Sequence, residues 1–544
     1  MAYKAAIFIL VILIQTALGC IAAEVTDPGA VLRQSVENND FLRLKKESQE
    51  KKVAQPNVED NTENPQGVPA KGALVKIFVR QIVVDSSKIL TAEEIRAVAA
   101  KYENRDVTIQ ELYALVQELN DLYAKKKMIT AKAILPPQKV EQGIVRIQLV
   151  ESNLGKVLVE GNKNTNRSFY TNRVSLREGE FIRLDTLDRD IAYFNRTNDV
   201  QMRAELRPGT VSGTTDIILK ADEPANIGAT LFADNAGRKE TGLYRYGLML
   251  ESKSLFGFRD AFAFTPIWTT GTTAWSASYN FPINRWGTRL GFGYDKNQTS
   301  IISGPFESLD VKSRLSDRSI TLSHPMVVKA DHKFDLFSEM HEKKSGNDFF
   351  GVNLIANAVK TTVLGATFQT TDDEGFWYSR YDTTRGSVDA ANLFVKYNLS
   401  LVRQQKMTAD RYFTFRLAGQ YRGAGHSFPS SEQFSVGGMS TVRGFTEGAL
   451  AGDQGYFTSL EWNFPLEFSD KVRGIAFIDN GGAFPYRGSG GSSTHRDYLT
   501  SVGVGAIINL SKYSSTKITI GNPIDPPGGQ KHIMVHFFIQ SVLL

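Results

Sequence analysis

Cysteine is almost absent from this chain: among 544 residues, only Cys20 carries a thiol. Cys20 lies within residues 1–23, where Lys4 precedes an apolar run and small residues end the segment, the order found in a secretory signal peptide. A mature chain cut after Ala23 would have no disulfide, so burial and hydrogen bonding must stabilise it. The alternative is lipidation of Cys20, because residues 17–20 faintly resemble a lipoprotein cleavage site; we favour the signal peptide.

Long apolar runs are also missing after residue 23. None approaches the ~20 residues that a membrane-spanning helix needs. A chain that crosses a membrane without such helices must do so as a closed β-barrel, since only a barrel then pairs every backbone polar group in hydrocarbon.

Concentrated charge and catalytic constellations are missing as well. The net charge of +5 is spread over the whole chain without a basic stripe, which argues against nucleic acid as a partner. The seven histidines lack metal-ligand spacing, and no glycine-rich loop of the phosphate-cradling type is present. We therefore predict no catalytic residue, no metal site and no cofactor, and a protein that is not an enzyme.

The N-terminal part of the mature chain is predicted to be a helix followed by a linker. Residues 24–52 have Asp27 as a candidate N-cap and Pro28 at the first helical position, with an uneven apolar stripe. Residues 53–72 are rich in Asn, Pro, Gln and Glu, a composition typical of a flexible segment.

Two small α+β modules are predicted next, over residues 73–151 and 152–224. Thr91 with Glu94, and Thr108 with Glu111, have the spacing of capping boxes that open two helices of the first module. Strand, helix and two further strands then follow in the second module. One larger α+β domain over the same residues is the alternative.

Residues 225–544 alternate between apolar and polar positions, as in the segments from Leu393 to Leu401, from Tyr412 to Arg422 and from His532 to Gln540. Segments of about ten residues with one apolar and one polar face are typical of strands that face lipid outside and water inside. Dividing about 320 residues by ~20 per strand and connection predicts a transmembrane antiparallel β-barrel of about 16 strands. A soluble sandwich could alternate similarly, but the export signal and the aromatic residues near strand ends argue against it.

A glycine-rich loop near residues 427–452 surrounds a single arginine, Arg443. Such a loop among barrel strands indicates a segment that folds back inside the barrel and contacts its wall. Asp479 lies on the polar side of its strand, together with Arg473, because Val472, Ala476 and Ile478 occupy the other phase. Arg443 and Asp479 could therefore meet, although an arginine in a barrel lumen could also be an ordinary solvated charge.

Several sequences together resemble the two-partner secretion transporters, the TpsB family, within the superfamily of the barrel-assembly insertase. They are Val436-Gly437-Gly438 leading to Val442-Arg443-Gly444-Phe445, Gly452-Asp453-Gln454-Gly455-Tyr456, Phe477-Ile478-Asp479-Asn480-Gly481 and Ala204-Glu205-Leu206-Arg207-Pro208-Gly209. Asn195-Arg196-Thr197-Asn198 departs locally from the family pattern. The resemblance covers nearly the whole chain.

This resemblance implies a signal peptide over 1–23, a plug helix over 24–52, a periplasmic linker over 53–72, and two polypeptide-transport-associated (POTRA) domains over 73–151 and 152–224. It implies an outer-membrane barrel over 225–544, in which Arg443 reaches Asp479 as a loop–barrel lock. The family's loop motif would comprise Gly437, Gly438, Val442, Gly444 and Phe445. A periplasmic helix that never plugs the barrel is the alternative for residues 24–52.

The implied function is recognition of one large unfolded exoprotein by the POTRA domains and its export through the barrel to the cell surface, without nucleotide hydrolysis. The expected partners are that exoprotein and the outer-membrane lipid, including lipopolysaccharide. We expect the client to add a strand at an exposed edge formed by Val200, Met202, Ala204 and Leu206, unless this strand only completes its own sheet. The alternatives are a barrel insertase and, less in keeping with the loop, a passive porin.

Overall fold

The computed structural model describes residues 58–60, 76–329, 331–408, 410–485, 498–524 and 532–544. They belong to two compact units, of which the first ends at Pro224 and the second begins at Ala225. The predictions for residues 1–23 and 24–52 lie outside the described residues. No helix among the described residues is long and apolar enough to cross a membrane.

The first unit contains nine strands and four α-helices within its described residues. Their bounds are β1 (Val58–Asp60), β2 (Lys76–Val79), β3 (Gln81–Val84), α1 (Ala92–Ala99), β4 (Arg105–Thr108), α2 (Ile109–Lys125), β5 (Ala131–Ile134), β6 (Ile144–Glu151), β7 (Asn153–Glu160), α3 (Arg167–Thr171), α4 (Leu184–Thr197), β8 (Gln201–Pro208) and β9 (Thr214–Asp222).

Both capping boxes of the first module are confirmed. The Thr108 hydroxyl accepts a hydrogen bond from the Glu111 amide at 3.2 Å, and the Glu111 carboxylate accepts one from the Thr108 amide at 2.8 Å. Thr91 and Glu94 pair in the same way at the start of α1. The hydrogen bond from the Thr108 amide, followed by that from the Arg105 guanidinium, lowers the pKa of Glu111 to about 2.

The unit has two hydrophobic cores. The first packs α1 and α2 on sheets β3-β6-β5 and β2-β4, around residues such as Leu115 and Val145. The second packs α3 and α4 on sheet β1-β8-β9-β7, around residues such as Ile191 and Leu219. Each core is closed by the amphipathic face of a helix, which the spacing of its apolar residues predicts.

Within the predicted flexible linker over residues 53–72, the structure describes only residues 58–60, and these three form strand β1 rather than a flexible segment. Its three residues pair in parallel with Ala204, Glu205 and Leu206 of β8, and the Val58 side chain packs against the second core. The physical reason is the edge of β8, whose free backbone groups offer a template for another extended segment. Composition alone does not reveal such a template, because it lies about 145 residues further along the chain.

The second unit is a closed barrel of 16 antiparallel strands, which confirms the predicted fold class and strand number. The barrel strands are β10 (Ile227–Asp234), β11 (Arg245–Ser252), β12 (Ala261–Trp268), β13 (Thr272–Pro282), β14 (Arg289–Ser300), β15 (Lys312–Val328), β16 (His332–Phe349), β17 (Val352–Asp372), β18 (Gly375–Val388), β19 (Asn392–Lys406), β20 (Tyr412–Gly425), β23 (Gln454–Leu466), β24 (Ser469–Phe484), β25 (Tyr498–Asn509), β26 (Ser514–Ile524) and β27 (Met534–Val542). Two short strands, β21 (Phe434–Val436) and β22 (Leu450–Gly452), lie in the loop between β20 and β23 and form a separate sheet.

Alternation along the barrel strands separates an outward apolar face from an inward face. On β19, Tyr397 and Leu399 point outward and are exposed, whereas Lys396 points inward and is buried. The inward side is filled at this point by residues 426–453, which connect β20 to β23. The predicted phase of these strands is therefore correct, and it directs the polar side chains towards that loop.

Candidate functional site

The loop between β20 and β23 is held in a hairpin by β21 and β22, which pair Phe434 with Gly452 and Val436 with Leu450. Gly437 and Gly438 have φ angles of 112° and 106°, a region that other residues rarely adopt. Two glycines at this point turn the chain sharply after β21. The tip of the loop then runs along the inner face of the barrel.

Arg443, at the tip, is 2% exposed and forms a two-pronged pair with Asp479 of β24, which is fully buried. Its Nε donates to Asp479 Oδ2 at 2.8 Å, and its Nη2 donates to Oδ1 at 2.9 Å. The Arg443 backbone amide adds a third hydrogen bond to Asp479 Oδ2 at 3.1 Å. Arg443 is therefore not a solvated lumen charge, and a lysine could not reproduce this planar fork.

Further wall residues complete the surroundings of Arg443, and the sequence reasoning missed them. Arg443 Nη1 donates to Glu461 at 2.5 Å, and Lys517 approaches the same carboxylate at 3.1 Å. Ser459, the register partner of Asp479, donates to its Oδ1 at 2.7 Å. Arg416 of β20 also lies near Glu461, and its Nη2 donates to the backbone carbonyl of Ser440 at the loop tip at 2.9 Å. The carboxylates of Asp479 and Glu461 thus face three cations.

A signal for Ser459 and Glu461 was present in the strand pattern. On β23 both alternate with outward-facing Leu460 and Trp462, as a lumen-facing position requires. Phe477 gave no such signal, because an apolar residue on the polar side of β24 breaks the alternation. Its ring lies 3.5 Å from the Arg443 guanidinium carbon, a cation–π contact that covers the open face of the ion pair.

Apolar residues of the loop motif anchor the tip next to the ion pair. Val442 is fully buried and Phe445 is 1% exposed, and both pack with Phe457 and Leu499 of the wall. A Cβ on Gly444 would lie 2.7 Å from Ser501 Cβ, so only glycine lets the backbone come this close to β25. The structure thus brings all five motif residues and Arg443 into one docked segment.

A second charged anchor lies at the root of the loop, and no motif indicated it. Glu432 is 3% exposed, and its carboxylate accepts from Lys343 of β16 at 2.6 Å and pairs with Lys396 of β19 at 3.0 Å. The backbone carbonyl of Glu432 also accepts from Lys396 at 3.0 Å and from Gln420 at 2.9 Å. The loop is therefore tied to the wall at two separate points.

The predicted client-binding strand needs a correction. The side chains of Val200, Met202, Ala204 and Leu206 are at most 1% exposed and belong to the second core, because they occupy the core-facing phase of the strand. They therefore cannot contact a client.

The outer edge of β8 is also covered within the described residues. The Asn195 side chain donates to Met202 O at 2.9 Å and accepts from Met202 N at 2.7 Å, and β1 covers the edge beyond. Backbone pairing of a client at this edge would first require β1 to leave.

Comparison with known proteins decides between the classes of barrel. The model of the haemolysin secretion/activation protein family ShlB/FhaC/HecB matches residues 213–508, which is more than half of the chain. The chain belongs to this family. A POTRA domain of the ShlB type matches residues 77–152, so the first module is a POTRA domain.

Relatives agree with this assignment. The chain is 25% identical over 476 residues to the outer membrane transporter CdiB of Dickeya dadantii, covering 82% of this chain and 83% of the relative. It is 24% identical over 479 residues to the heme/hemopexin transporter protein HuxB of Haemophilus influenzae, with the same coverage. The solved structure of CdiB from Escherichia coli matches with a TM-score of 0.65 at 20% identity, over 95% of this chain and 99% of that one, which shows a shared fold.

The protein is accordingly an outer-membrane translocator of the two-partner secretion type, with its POTRA region in the periplasm. The loop with Arg443 lies inside the barrel of this translocator.

Proposed function

We propose that this chain exports one cognate large exoprotein, and that the Arg443–Asp479 pair locks the loop inside the barrel as the gate of that export. The observation that carries the proposal is the burial of both charges, at 2% and 0% exposure, between the loop tip and β24. A loop that only lined the lumen would not need a fully desolvated ion pair.

The energetics support a lock rather than a loose contact. Removing one partner of a buried ion pair leaves an uncompensated charge, which costs about 3–5 kcal/mol. The docked loop is stabilised by a fork of two hydrogen bonds and by the amide of Arg443 itself, so its orientation is defined as well as its position. An outer membrane has no nucleotide supply, and we propose that folding of the client outside the cell drives its export.

We further propose that the periplasmic region binds the unfolded client by strand addition at β8. The three-residue pairing of β1 shows that this edge accepts an extended segment in parallel orientation. A longer client strand would replace β1 through main-chain hydrogen bonds, which demand little of the client's sequence. Specificity would then come from the outward side chains of β8, such as Arg203 and Arg207.

The proposal is tested by secretion of the large exoprotein encoded nearest to this protein. The exoprotein is co-expressed with the wild type or with Arg443→Ala, and the client is measured in the medium and in the periplasm. We expect export by the wild type and a loss on the order of tenfold or more in the mutant, with similar amounts of assembled barrel in the outer membrane.

Arg385→Ala is the matched control, since Arg385 is an exposed arginine on the outward face of β18 and touches no loop residue. Normal export by Arg443→Ala at normal barrel levels would refute the lock. Failure of both the wild type and the mutant to export, with both assembled, would point to an insertase or a pore.

Strand addition has a separate test. Replacing Val58–Asp60 by Gly-Ser-Gly frees the β8 edge, and we expect the purified chain to bind the unfolded N-terminal part of the client more tightly. Unchanged affinity would show that β8 is not where the client binds.

A further inference from the structure

Four cations form a cross on the outer surface of the barrel, around Ser316 of β15. Arg314 and Arg318 lie two residues before and after Ser316 on the same face of the strand. Lys296 of β14 and Lys344 of β16 are the direct register partners of Ser316 on either side. Direct partners in antiparallel strands have Cβ atoms about 5 Å apart, so all four side chains can reach a common point above Ser316.

These side chains point away from the lumen. Arg314, Arg318, Lys296 and Lys344 are exposed, whereas the intervening Leu315 is buried on the inward side. Such a face of a barrel strand normally contacts lipid, where charge is strongly disfavoured near the middle of the membrane. The cross must therefore lie at the level of the lipid headgroups or above it.

The chain direction places the cross at the outer leaflet. The periplasmic region ends at Pro224, so β10 begins on the periplasmic side. Antiparallel neighbours alternate, and β15 consequently begins at its extracellular end with Lys312. Strand β15 has 17 residues, more than the ~9–11 that cross a membrane, which leaves its first part outside the hydrocarbon.

An apolar row directly below the cross marks the boundary of the hydrocarbon. Phe292, Ile320 and Met340 are register partners across β14, β15 and β16, and each is 46–58% exposed on the outward face. Ile320 is four residues from Ser316, a distance of about 13 Å along the strand. Because barrel strands are tilted by about 40°, this distance corresponds to about 10 Å of membrane depth, so the apolar row lies on the hydrocarbon side of the cross.

The cross has an excess of positive charge. Two carboxylates lie close to it: Asp348 forms an ion pair with Arg314, and Glu342 lies 3.9 Å from Lys344. Four cations and two carboxylates leave a net charge of +2. Glu342 is also the direct register partner of Arg318, whose guanidinium carbon lies 5.9 Å from the centre of the Tyr294 ring. Among the described residues, no carboxylate forms an ion pair with Lys296.

We propose that this cross binds the phosphate groups of lipid A, the phosphorylated glycolipid of the outer leaflet. Two guanidinium groups fork onto phosphate oxygens, two ammonium groups add charge, and the Ser316 hydroxyl donates a hydrogen bond from the centre. The acyl chains lie along the row of Phe292, Ile320 and Met340. The site orients the barrel in an asymmetric membrane and holds β14–β16 at a defined depth.

The test uses the full-length chain, delipidated in non-ionic detergent, with diphosphoryl lipid A titrated and bound lipid counted by native mass spectrometry. The variant K296Q/R314Q/R318Q/K344Q removes the cross. We expect its affinity for diphosphoryl lipid A to fall on the order of tenfold or more. Dephosphorylated lipid A should bind the wild type as weakly as diphosphoryl lipid A binds the variant.

The matched control removes four exposed lysines from strand ends and turns on the periplasmic side, in K329Q/K406Q/K471Q/K512Q. This control should bind lipid A like the wild type. Ser316→Glu is a second, milder variant, which places a carboxylate among the four cations and should weaken binding even if the quadruple variant does not form a barrel.

Three results would overturn the proposal. The first is unchanged affinity in Ser316→Glu and in the quadruple variant. The second is an equal loss in the periplasmic control, which would reveal a general charge effect. The third is displacement of lipid A by phosphatidylglycerol or inorganic phosphate at equal concentration, which would show a site for any phosphate.

Discussion

The two anchors of the loop use opposite arrangements of charge. At the tip, the loop supplies the cation, Arg443, and the wall supplies the carboxylates of Asp479 and Glu461. At the root, the loop supplies the carboxylate of Glu432 and the wall supplies the cations of Lys343 and Lys396. Both sites are buried, but only the tip has a planar fork with two matched hydrogen bonds.

This difference separates orientation from attachment. A guanidinium on a carboxylate defines an angle as well as a distance, whereas an ammonium group is a point charge that tolerates rotation. The tip anchor therefore determines how the loop lies in the lumen, and the root anchor determines mainly that the loop stays attached.

The near absence of cysteine allows a direct measurement of loop docking. In the variant Ser440→Cys, the rate of thiol labelling at the tip reports how often the loop leaves the wall.

The largest effect is expected from Asp479→Ala, which removes the wall side of the fork. Arg443 keeps Glu461 but loses three hydrogen bonds. We expect labelling at residue 440 to increase on the order of tenfold or more, equivalent to about 1.4 kcal/mol or more of docking free energy. Asn480→Ala on the adjacent position of β24 is the control; equal labelling in both variants would contradict a lock.

Conservative exchanges at the two anchors sharpen the comparison. Arg443→Lys keeps the charge but cannot fork, and we expect labelling to rise on the order of fivefold. Lys343→Arg keeps the charge at a site without a fork and should change labelling by less than about twofold. Equal effects of the two exchanges would mean that charge alone holds both anchors.

A smaller effect is expected from Glu432→Gln at the root. The amide can still accept hydrogen bonds from Lys343 and Lys396, and these flexible side chains, which are 13% and 11% exposed, can turn towards the water of the lumen. We expect labelling at residue 440 to rise by about threefold. A rise larger than that of Asp479→Ala would reverse the ranking of the anchors.

The smallest effect is expected for the energetic coupling between the two anchors, which is the difference between the docking free energy lost in the double variant and the sum of the losses in the two single variants. Lys396 lies on β19 and Asp479 on β24, three strand spacings away through β20 and β23, or about 14 Å. The effects of Arg443→Lys and Glu432→Gln on docking free energy should therefore add within about 0.5 kcal/mol. A larger deviation, measured by labelling of the double variant, would show that the loop moves as one rigid piece.

Much of this architecture could be predicted from local patterns. Period-2 alternation predicted the inward position of Asp479, and the same alternation contained the unused signal for Ser459 and Glu461. The root anchor had no pattern, because Glu432, Lys343 and Lys396 are single charges far apart in the chain. The prediction that Val200, Met202, Ala204 and Leu206 contact the client was wrong, because these side chains face the second core. Alternation shows that a strand has two different faces, but it does not show which face is available to a client.

Local sequence patterns were sufficient to predict the barrel, its strand number and the capped helices, because each depends on neighbouring residues and on a repeating period, and the resemblance to a known family added the loop motif. Tertiary structure alone decided the partners of Glu432, the pairing of β1 with β8, and the meeting of four cations around Ser316. These depend on strand register and barrel closure, which bring together residues that no local period connects.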